Sequence, residues 1–430
     1  MTGIPKSRIV LATVGSLGDL HPFVAIGRAL AERGAGVVLA VPEDHVARVR
    51  AAGLKAEAVI PSFAEVGAAT GLPDEEVVRR VLRSGDFLMR RVLLPSLDDG
   101  VARLLRIAEG ADALAATGFT FAAPIAAERL GLPYIHVVLQ PMSWFSPLDP
   151  PSGAGARMLA PAGSGTVGRA WNRLLLRAAK AFARARYGGA VDRARAAVGL
   201  GPARSAPLVE PGTRPVLSIG AYSPAFAPLP PDAPEPAVAT GFPWHDADED
   251  GTAALDPELA AFLDEGPPPL VVSLGSFVPY SDTDLYAQAA EVARGLGLRA
   301  VLLTGEAEAP SGPGLLARRY APHSLLFPRA ALVVHHGGIG TTGQALRAGR
   351  PQLVAPFMGD QPDNAARVER LGVGLQVAPS RFGAQAPTLV RRLLGEPGFA
   401  QRAAALGRCV AAENGAAAAA EAILRTAAGS

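Results

Sequence analysis

Short apolar runs alternate with segments of helical period along most of the chain. Arg8 leads into Ile9-Val10-Leu11-Ala12-Thr13-Val14, which has the length and β-branched content of a buried strand. A Gly-rich turn separates it from residues 23–33, whose apolar positions predict an amphipathic helix. A strand over 36–41 and another helix follow, then a strand at 113–116, a helix at 122–130 and a strand at 134–139. The pattern resumes with apolar runs at 270–274, 300–303, 331–335 and 352–356. Strands separated by helical segments form parallel sheets covered on both faces. The expectation is an α/β chain of two doubly wound, Rossmann-like halves.

Between the halves, residues 206–245 carry ten prolines, which stiffen the path and cannot continue a helix. Residues 226–240 are the expected linker, between a first domain at 1–225 and a second at 241–410. The chain of 430 residues fits two large domains at about 100–200 residues each. Residues 145–168, rich in Gly, Pro, Ala and Ser, read as a loop of the first half. The Ala-rich stretch 411–428 predicts a terminal helix by propensity.

Composition narrows the function classes. Hydrophobic residues at 49% against 19% charged exclude a disordered scaffold. The 41 Lys and Arg against 39 Asp and Glu are scattered rather than clustered, which argues against a nucleic-acid partner. A single cysteine, Cys409, excludes a disulfide framework and a cysteine-rich zinc site and is compatible with the cytoplasm. The first apolar run is too short for a signal segment, and no apolar run reaches the roughly 18 residues of a transmembrane helix.

The most informative segment is Leu332 to Arg350, LVVHHGGIGTTGQALRAGR: a strand, a Gly-rich turn and a helix expected near Thr341. Such a turn gathers backbone N–H groups and the positive end of a helix at one point, where phosphate binds. Gly337, Gly338 and Gly340 permit close approach, and a ring nitrogen of His336 could donate to a phosphate oxygen. His335 reads as a core histidine. Gly338, Gly340 and Gly343 also satisfy GxGxxG with Asp360 about twenty residues on, so an NAD site is an alternative on spacing alone.

His336-Gly337-Gly338-Ile339-Gly340-Thr341-Thr342 followed by Gly359-Asp360-Gln361-Pro362 resembles the nucleotide-sugar signature of family 1 glycosyltransferases. The resemblance extends to Tyr320-Ala321-Pro322-His323, Leu274-Gly275-Ser276 and Gly15-Ser16-Leu17-Gly18-Asp19-Leu20-His21-Pro22, and so spans nearly the whole chain. It implies the GT-B fold, two Rossmann-like domains facing across a cleft, the first binding acceptor and the second a UDP- or dTDP-sugar. The terminal segment 411–430 would then pack back on the first domain. Bacterial members acting on lipophilic acceptors are the most similar: sterol-type, antibiotic-modifying and rhamnolipid-building enzymes.

By that resemblance, His336 and the N–H groups from Gly338 through Thr342, Gly340 and Thr341 included, hold the diphosphate, with Ser276 adding a hydroxyl. Tyr320 stacks on the nucleobase beside Ala321 and His323. Asp360 and Gln361 meet the sugar hydroxyls. Gln344 stands where many members carry a ribose-binding Glu, so the choice between uridine and thymidine stays open. Many members use a His–Asp dyad as base; here Asp19 takes the His place and Thr117 that of the orienting Asp. Asp19 is the expected general base, with an N-cap of a helix beginning near Pro22 as the plain alternative. His21 would orient Asp19, replace it, or serve structure alone.

The implied reaction is an inverting, metal-independent sugar transfer to a hydroxyl, with the nucleotide-sugar as co-substrate and no further cofactor. A catalytically silent nucleotide-sugar-binding relative is a second reading. Phe87, Met142, Trp144 and Phe145, with Phe63 and Met89, are candidates for an apolar acceptor pocket or for ordinary core. Asp282-Thr283-Asp284 matches a metal-binding Asp-x-Asp pattern but falls at an expected helix start, where acids suit the dipole anyway. The acidic run 246–250 reads as solvated loop. The sequence leaves monomer and homodimer open.

Overall fold

The computed structural model describes residues 7–153, 156–203, 205–246, 254–275, 284–305, 307, 310 and 312–429. The chain divides into two compact units. Unit 1 comprises Met1–Pro224, Pro228–His245 and Asn414–Ser430; unit 2 comprises Ala225–Ala227 and Asp246–Glu413.

Unit 1 is built on strands β1 (Arg8–Ala12), β2 (Gly36–Pro42), β3 (Lys55–Ile60), β4 (Ala113–Thr117), β5 (Tyr134–Val138), β6 (Leu217–Gly220) and β7 (Ala237–Ala239), all parallel in the order β3-β2-β1-β4-β5-β6-β7. Its helices are α1 (Leu17–Glu32), α2 (Glu43–Ala51), α3 (Phe63–Thr70), α4 (Asp74–Arg83), the short α5 (Gly85–Phe87), α6 (Leu97–Ala108), α7 (Ala122–Leu130) and the long α8 (Gly165–Ala197). Alternate strand residues feed opposite apolar layers. Val10, Ala12 and Leu114 face one, Ile9, Leu11 and Ala113 the other.

Unit 2 carries α9 (Pro257–Asp264), β8 (Leu270–Ser273), α10 (Leu285–Gly295), β9 (Ala300–Leu303), β10 (Leu315–Arg318), α11 (His323–Leu326), β11 (Leu332–His335), α12 (Ile339–Arg347), β12 (Gln352–Val354), α13 (Gln361–Arg370), β13 (Gly374–Gln376), α14 (Phe382–Gly395) and α15 (Pro397–Ala412). Its parallel sheet runs β10-β9-β8-β11-β12-β13. In each sheet the strand order reverses once, between β1 and β4 and between β8 and β11. Open α/β sheets leave a crevice at such a switch point, beyond the carboxyl ends of the strands.

Several boundaries differ from the sequence expectation. The first helix starts at Leu17, six residues before 23, because Ser16 caps it: Gly18 N–H donates to Ser16 Oγ at 3.2 Å and Ser16 N–H to Asp19 Oδ2 at 2.9 Å. Pro22 therefore lies inside the helix rather than at its start. α12 opens at Ile339, two residues before Thr341. The expected linker 226–240 contains β7, which extends the unit 1 sheet, so much of that segment is built into unit 1. Residues 411–428 do not form one helix: α15 ends at Ala412, Asn414 Oδ1 accepts from Ala417 N–H at 3.1 Å, and α16 (Gly415–Ala428) begins anew. Ala419, Ala420, Ala422 and Ile423 of α16 join the apolar layer beneath α1. The expected loop 145–168 gives way at Gly165 to the first turn of α8.

Candidate functional site

At the unit 1 switch point, β1 runs out through Val14 into Gly15 and the start of α1. Gly15 has φ +138°, and a Cβ there would fall 2.3 Å from Asp19 Oδ2, so glycine lets the carboxylate fold back on the turn. His45 of α2 donates from Nε2 to the Gly15 carbonyl at 3.0 Å and braces it. Asp19 is thus the third residue of α1 in a capping box, not the N-cap; Ser16 supplies its hydrogen bonds. Burial pushes its pKa from 3.8 up to about 6, against the opposing pull of the Ser16 backbone and hydroxyl.

His21 does not orient Asp19. Two residues on, it points about 200° round the helix, and its ring meets His245 edge-on, centroids 5.4 Å apart. Thr117, at the end of β4, is buried in a hydroxyl cluster, 3.5 Å from Thr13 Oγ1 and 3.1 Å from Thr120 Oγ1. That switch point therefore offers one carboxylate among hydroxyls. Beside it an apolar recess is lined by Val14, Ile60, Leu93, Leu97, Phe119 and Phe121.

The acceptor candidates separate into two groups. Met142, Trp144 and Phe145 lie on the turn that leaves the carboxyl end of β5, half-buried, with Trp144 Nε1 donating to Tyr222 OH and Phe145 in the left-handed region at φ 47°. Phe87 packs on the core with Arg80 over its ring, Phe63 packs on the same core, and Met89 is fully buried in it. Phe63 opens α3, while Phe87 and Met89 lie on the helical segment after α4, and all three pack on that core.

In unit 2, the ends of β8 and β11 bring one cluster together. His336 follows β11, its ring against Gly275 and Gly338: a Cβ would lie 2.6 Å from Cε1 on the first and 2.4 Å from Nε2 on the second. Burial holds the His336 pKa down at about 4, a hydrogen bond with the Ser273 backbone opposing, so the ring is neutral at pH 7 and its Nδ1 has no partner. His335 is the core histidine expected: its Nδ1 accepts from Gly337 N–H at 3.1 Å, which places its proton on Nε2, donated to Gln352 Oε1 at 2.9 Å. Gly337, at φ 92°, leaves room for the Gln361 carbonyl 3.0 Å from where its Cβ would be. At the opening of α12, Gly340 and Thr341 supply first-turn N–H groups, which have no acceptor within the helix. Thr342 is buried with its hydroxyl unpartnered.

Asp360 and Gln361 are committed to holding this turn. Asp360 Oδ2 accepts from Ile339 N–H at 3.2 Å and from Asn364 Nδ2 at 2.7 Å, while Gln361 Oε1 accepts from Phe357 and Met358 N–H at 2.8 and 3.1 Å. What Gln361 has left to offer a sugar is its amide N–H. Ser276 and the Asp282-Thr283 pair lie outside the described residues, as do residues 247–250 of the acidic run. Asp284 precedes α10, where its carboxylate accepts from Gln288. Among the described residues no three His, Cys, Asp or Glu gather as a metal site.

Asp246 is the residue that sequence reasoning missed. It is no solvated loop acid: its carboxylate accepts from Tyr320 OH at 2.9 Å, His323 N–H at 3.3 Å and Ser324 N–H at 2.5 Å, with Gln344 Nε2 at 3.5 Å. Burial works to raise its pKa, yet the His323 charge and the Ser324 and Tyr320 hydrogen bonds together hold it below the usual carboxylate range. Tyr320 keeps an exposed ring, Ala321 is buried, and His323 stacks on Phe327 with Nε2 3.3 Å from Ser273 Oγ. Gln344 Oε1 is buried without a partner. The cluster thus combines an aromatic face, unpaired acceptors and donors, and a helix N-terminus.

Comparisons with known proteins agree with this geometry. Residues 309–424 match the family model described as "Erythromycin biosynthesis protein CIII-like, C-terminal domain". The chain is 35% identical over 377 residues to vancomycin aglycone glucosyltransferase of Amycolatopsis orientalis, covering 86% of this chain and 85% of that one. It is 34% identical over 425 residues to O-mycaminosyltylonolide 6-deoxyallosyltransferase of Streptomyces fradiae, covering 95% and 94%. Among solved structures, spinosyn forosaminyltransferase superposes with a TM-score of 0.71 at 20% identity over 98% of this chain and 100% of that one. The glycosyltransferase VinC in complex with dTDP gives 0.69 at 20% identity, with the same coverage. The NAD reading of the glycine turn is set aside by these matches; the Asp360 it needs for a ribose is bonded to Ile339 N–H. The chain belongs to the family 1 natural-product glycosyltransferases, enzymes of the GT-B fold.

Proposed function

We propose that the enzyme transfers a sugar from a UDP- or dTDP-sugar to a hydroxyl of a lipophilic small molecule, with inversion at the anomeric carbon and without a metal. The observation that carries this reading is Asp19, a single carboxyl at a switch point whose pKa burial pushes up to about 6. At pH 7 it is ionised, yet basic enough to take the acceptor's proton as the hydroxyl oxygen bonds to the sugar; such general-base assistance contributes about 10²–10⁴ in rate. The carbon–oxygen bond to the diphosphate breaks on the opposite face, and the leaving group takes the electron pair. The first-turn N–H groups of Gly340 and Thr341 and the positive end of α12 suit the charge that develops there, with the His336 ring packed against Gly338 to shape the turn. Tyr320 offers its ring to a nucleobase. The relatives named for vancomycin aglycone and a tylonolide support an antibiotic-like acceptor.

The test is thermal stabilisation by UDP, dTDP, GDP and NAD, followed by turnover of a lipophilic alcohol panel with chelator present. Protection by UDP or dTDP, lost in His336→Ala, and an inverted product are expected; protection by NAD alone would overturn the assignment. Nucleotide protection without turnover of any acceptor would favour the silent-relative reading, in which Thr117 in place of an orienting Asp leaves the base unsupported.

A further inference from the structure

We infer that Asp246 is a positioning residue for the nucleoside half of the donor: its carboxylate anchors the Tyr320 ring and turns the carbonyl end of the Gln344 amide toward the nucleotide. The inference rests on the UDP- or dTDP-sugar reading and deepens it. Asp246 receives four contacts, from Tyr320 OH at 2.9 Å, His323 N–H at 3.3 Å, Ser324 N–H at 2.5 Å and Gln344 Nε2 at 3.5 Å. The two backbone contacts are those of an acid capping α11, and a cap needs nothing more. The other two go to side chains of the nucleotide cluster. Tyr320 is 38% exposed while its hydroxyl is tied to Asp246, so what it offers is the ring. Gln344 is 7% exposed, and its Oε1 has no hydrogen-bond partner.

Charge decides which way the amide faces. Asp246 is held below the usual carboxylate range, so at neutral pH it only accepts, and Gln344 must meet it with an N–H. At 3.5 Å that contact is long, yet the reversed amide would set its oxygen against an ionised carboxylate. The Gln344 carbonyl oxygen is thereby left as a buried, unsatisfied acceptor, a condition that folded proteins avoid unless a ligand or water completes it. Gln344 follows Gly340 and Thr341 by four and three residues on α12, which puts it on their face, one turn below the N–H groups that suit the diphosphate. Helical side chains lean toward the N-terminus, and so toward that turn. With phosphates there and a base on the Tyr320 ring, the ribose lies between, and its hydroxyls can donate to Oε1. Asp246 touches both flanking side chains. Without it each regains rotamer freedom that nucleotide binding would have to freeze.

Calorimetric titration of the full chain with UDP, dTDP and inorganic pyrophosphate tests this, since pyrophosphate reports the phosphate half of the site alone. Asp246→Asn keeps the size of the side chain and an oxygen for the two capping contacts. It should weaken whichever nucleoside diphosphate binds the wild type at least about tenfold, and change pyrophosphate affinity less than about twofold. In Tyr320→Phe/Gln344→Leu, which lacks both side-chain partners, adding Asp246→Asn should cost less than about twofold. Equal losses for nucleotide and pyrophosphate, or the full tenfold loss in that background, would assign Asp246 to capping alone and overturn the inference. Unchanged nucleotide affinity in Asp246→Asn would do the same. Binding of neither UDP nor dTDP by the wild type would instead reject the donor reading, and this inference with it.

Discussion

Asp19 is held where its charge is useful and expensive at once. Its folded pKa of about 6 lies above the ordinary 3.8, so the folded state binds the proton more tightly than the unfolded state. Between those two values stability falls as pH rises, and above about pH 6 the full penalty is present. Asp19→Asn keeps an acceptor for Ser16 N–H and removes the charge. It should raise the melting temperature at pH 8, with the gain vanishing toward pH 4, while kcat drops at least about 10²-fold. In the wild type, kcat/KM should fall as pH drops through about 6. An unchanged kcat in the variant, or a flat profile, would move the base elsewhere. The Gly15–Pro22 and His336–Thr342 segments were legible because their chemistry is local: glycine, a polar side chain and a helix start within a few residues. Asp246 was not, since its partners lie 74 to 98 residues further along. Of the roles open to His21, orienting Asp19 is excluded by helix geometry, since two residues along a helix are about 200° apart.

Among the elements, β1, β2, β4, β5, β8, β9, β11 and β12 are legible within a few residues because their apolar runs are nearly continuous, whereas β3 and β10 are part-exposed and β6 and β13 are only four and three residues long. Helix starts are less legible: Pro22 suggests a beginning, although Ser16-Leu17-Gly18-Asp19 already spells a capping box. α8 is not marked by a clean period because large apolar residues, Val167, Trp171, Leu174 and Phe182, stand exposed on it as well as buried ones. β7 escaped because three residues between prolines resemble a connector. The packing of α16 has a sharper signature in space. A Cβ on Gly415 would lie 2.3 Å from the Gly241 carbonyl oxygen, backbone against backbone, with no flexible side chain to yield. Gly415→Ala is therefore expected to destabilise unit 1 by about 1–3 kcal/mol in a denaturant titration. A loss below a few tenths would mean the helix start shifts freely.

On the scale of the molecule, unit 1 is discontinuous: it takes its last helix from chain that follows unit 2. Ending the chain at Glu413 removes Ala419, Ala420, Ala422 and Ile423 from the layer beneath α1. The truncated protein should melt at least about 5 °C lower, yet still be protected by whichever nucleotide protects the full chain. An unchanged melting temperature would deny α16 a share in that core. The two-halves architecture could be read from the sequence, but not which residues belong to which half, because membership is settled by packing between distant segments.

The return of α16 also sets an order on synthesis. The sheet of unit 1 is translated first, but the apolar layer under α1 stays uncovered until residues beyond 413 have left the ribosome. Unit 2, nearly all of it one uninterrupted stretch, has every strand and helix available before then. The half made earliest is the one completed last, and through most of translation it presents an unfinished face to chaperones.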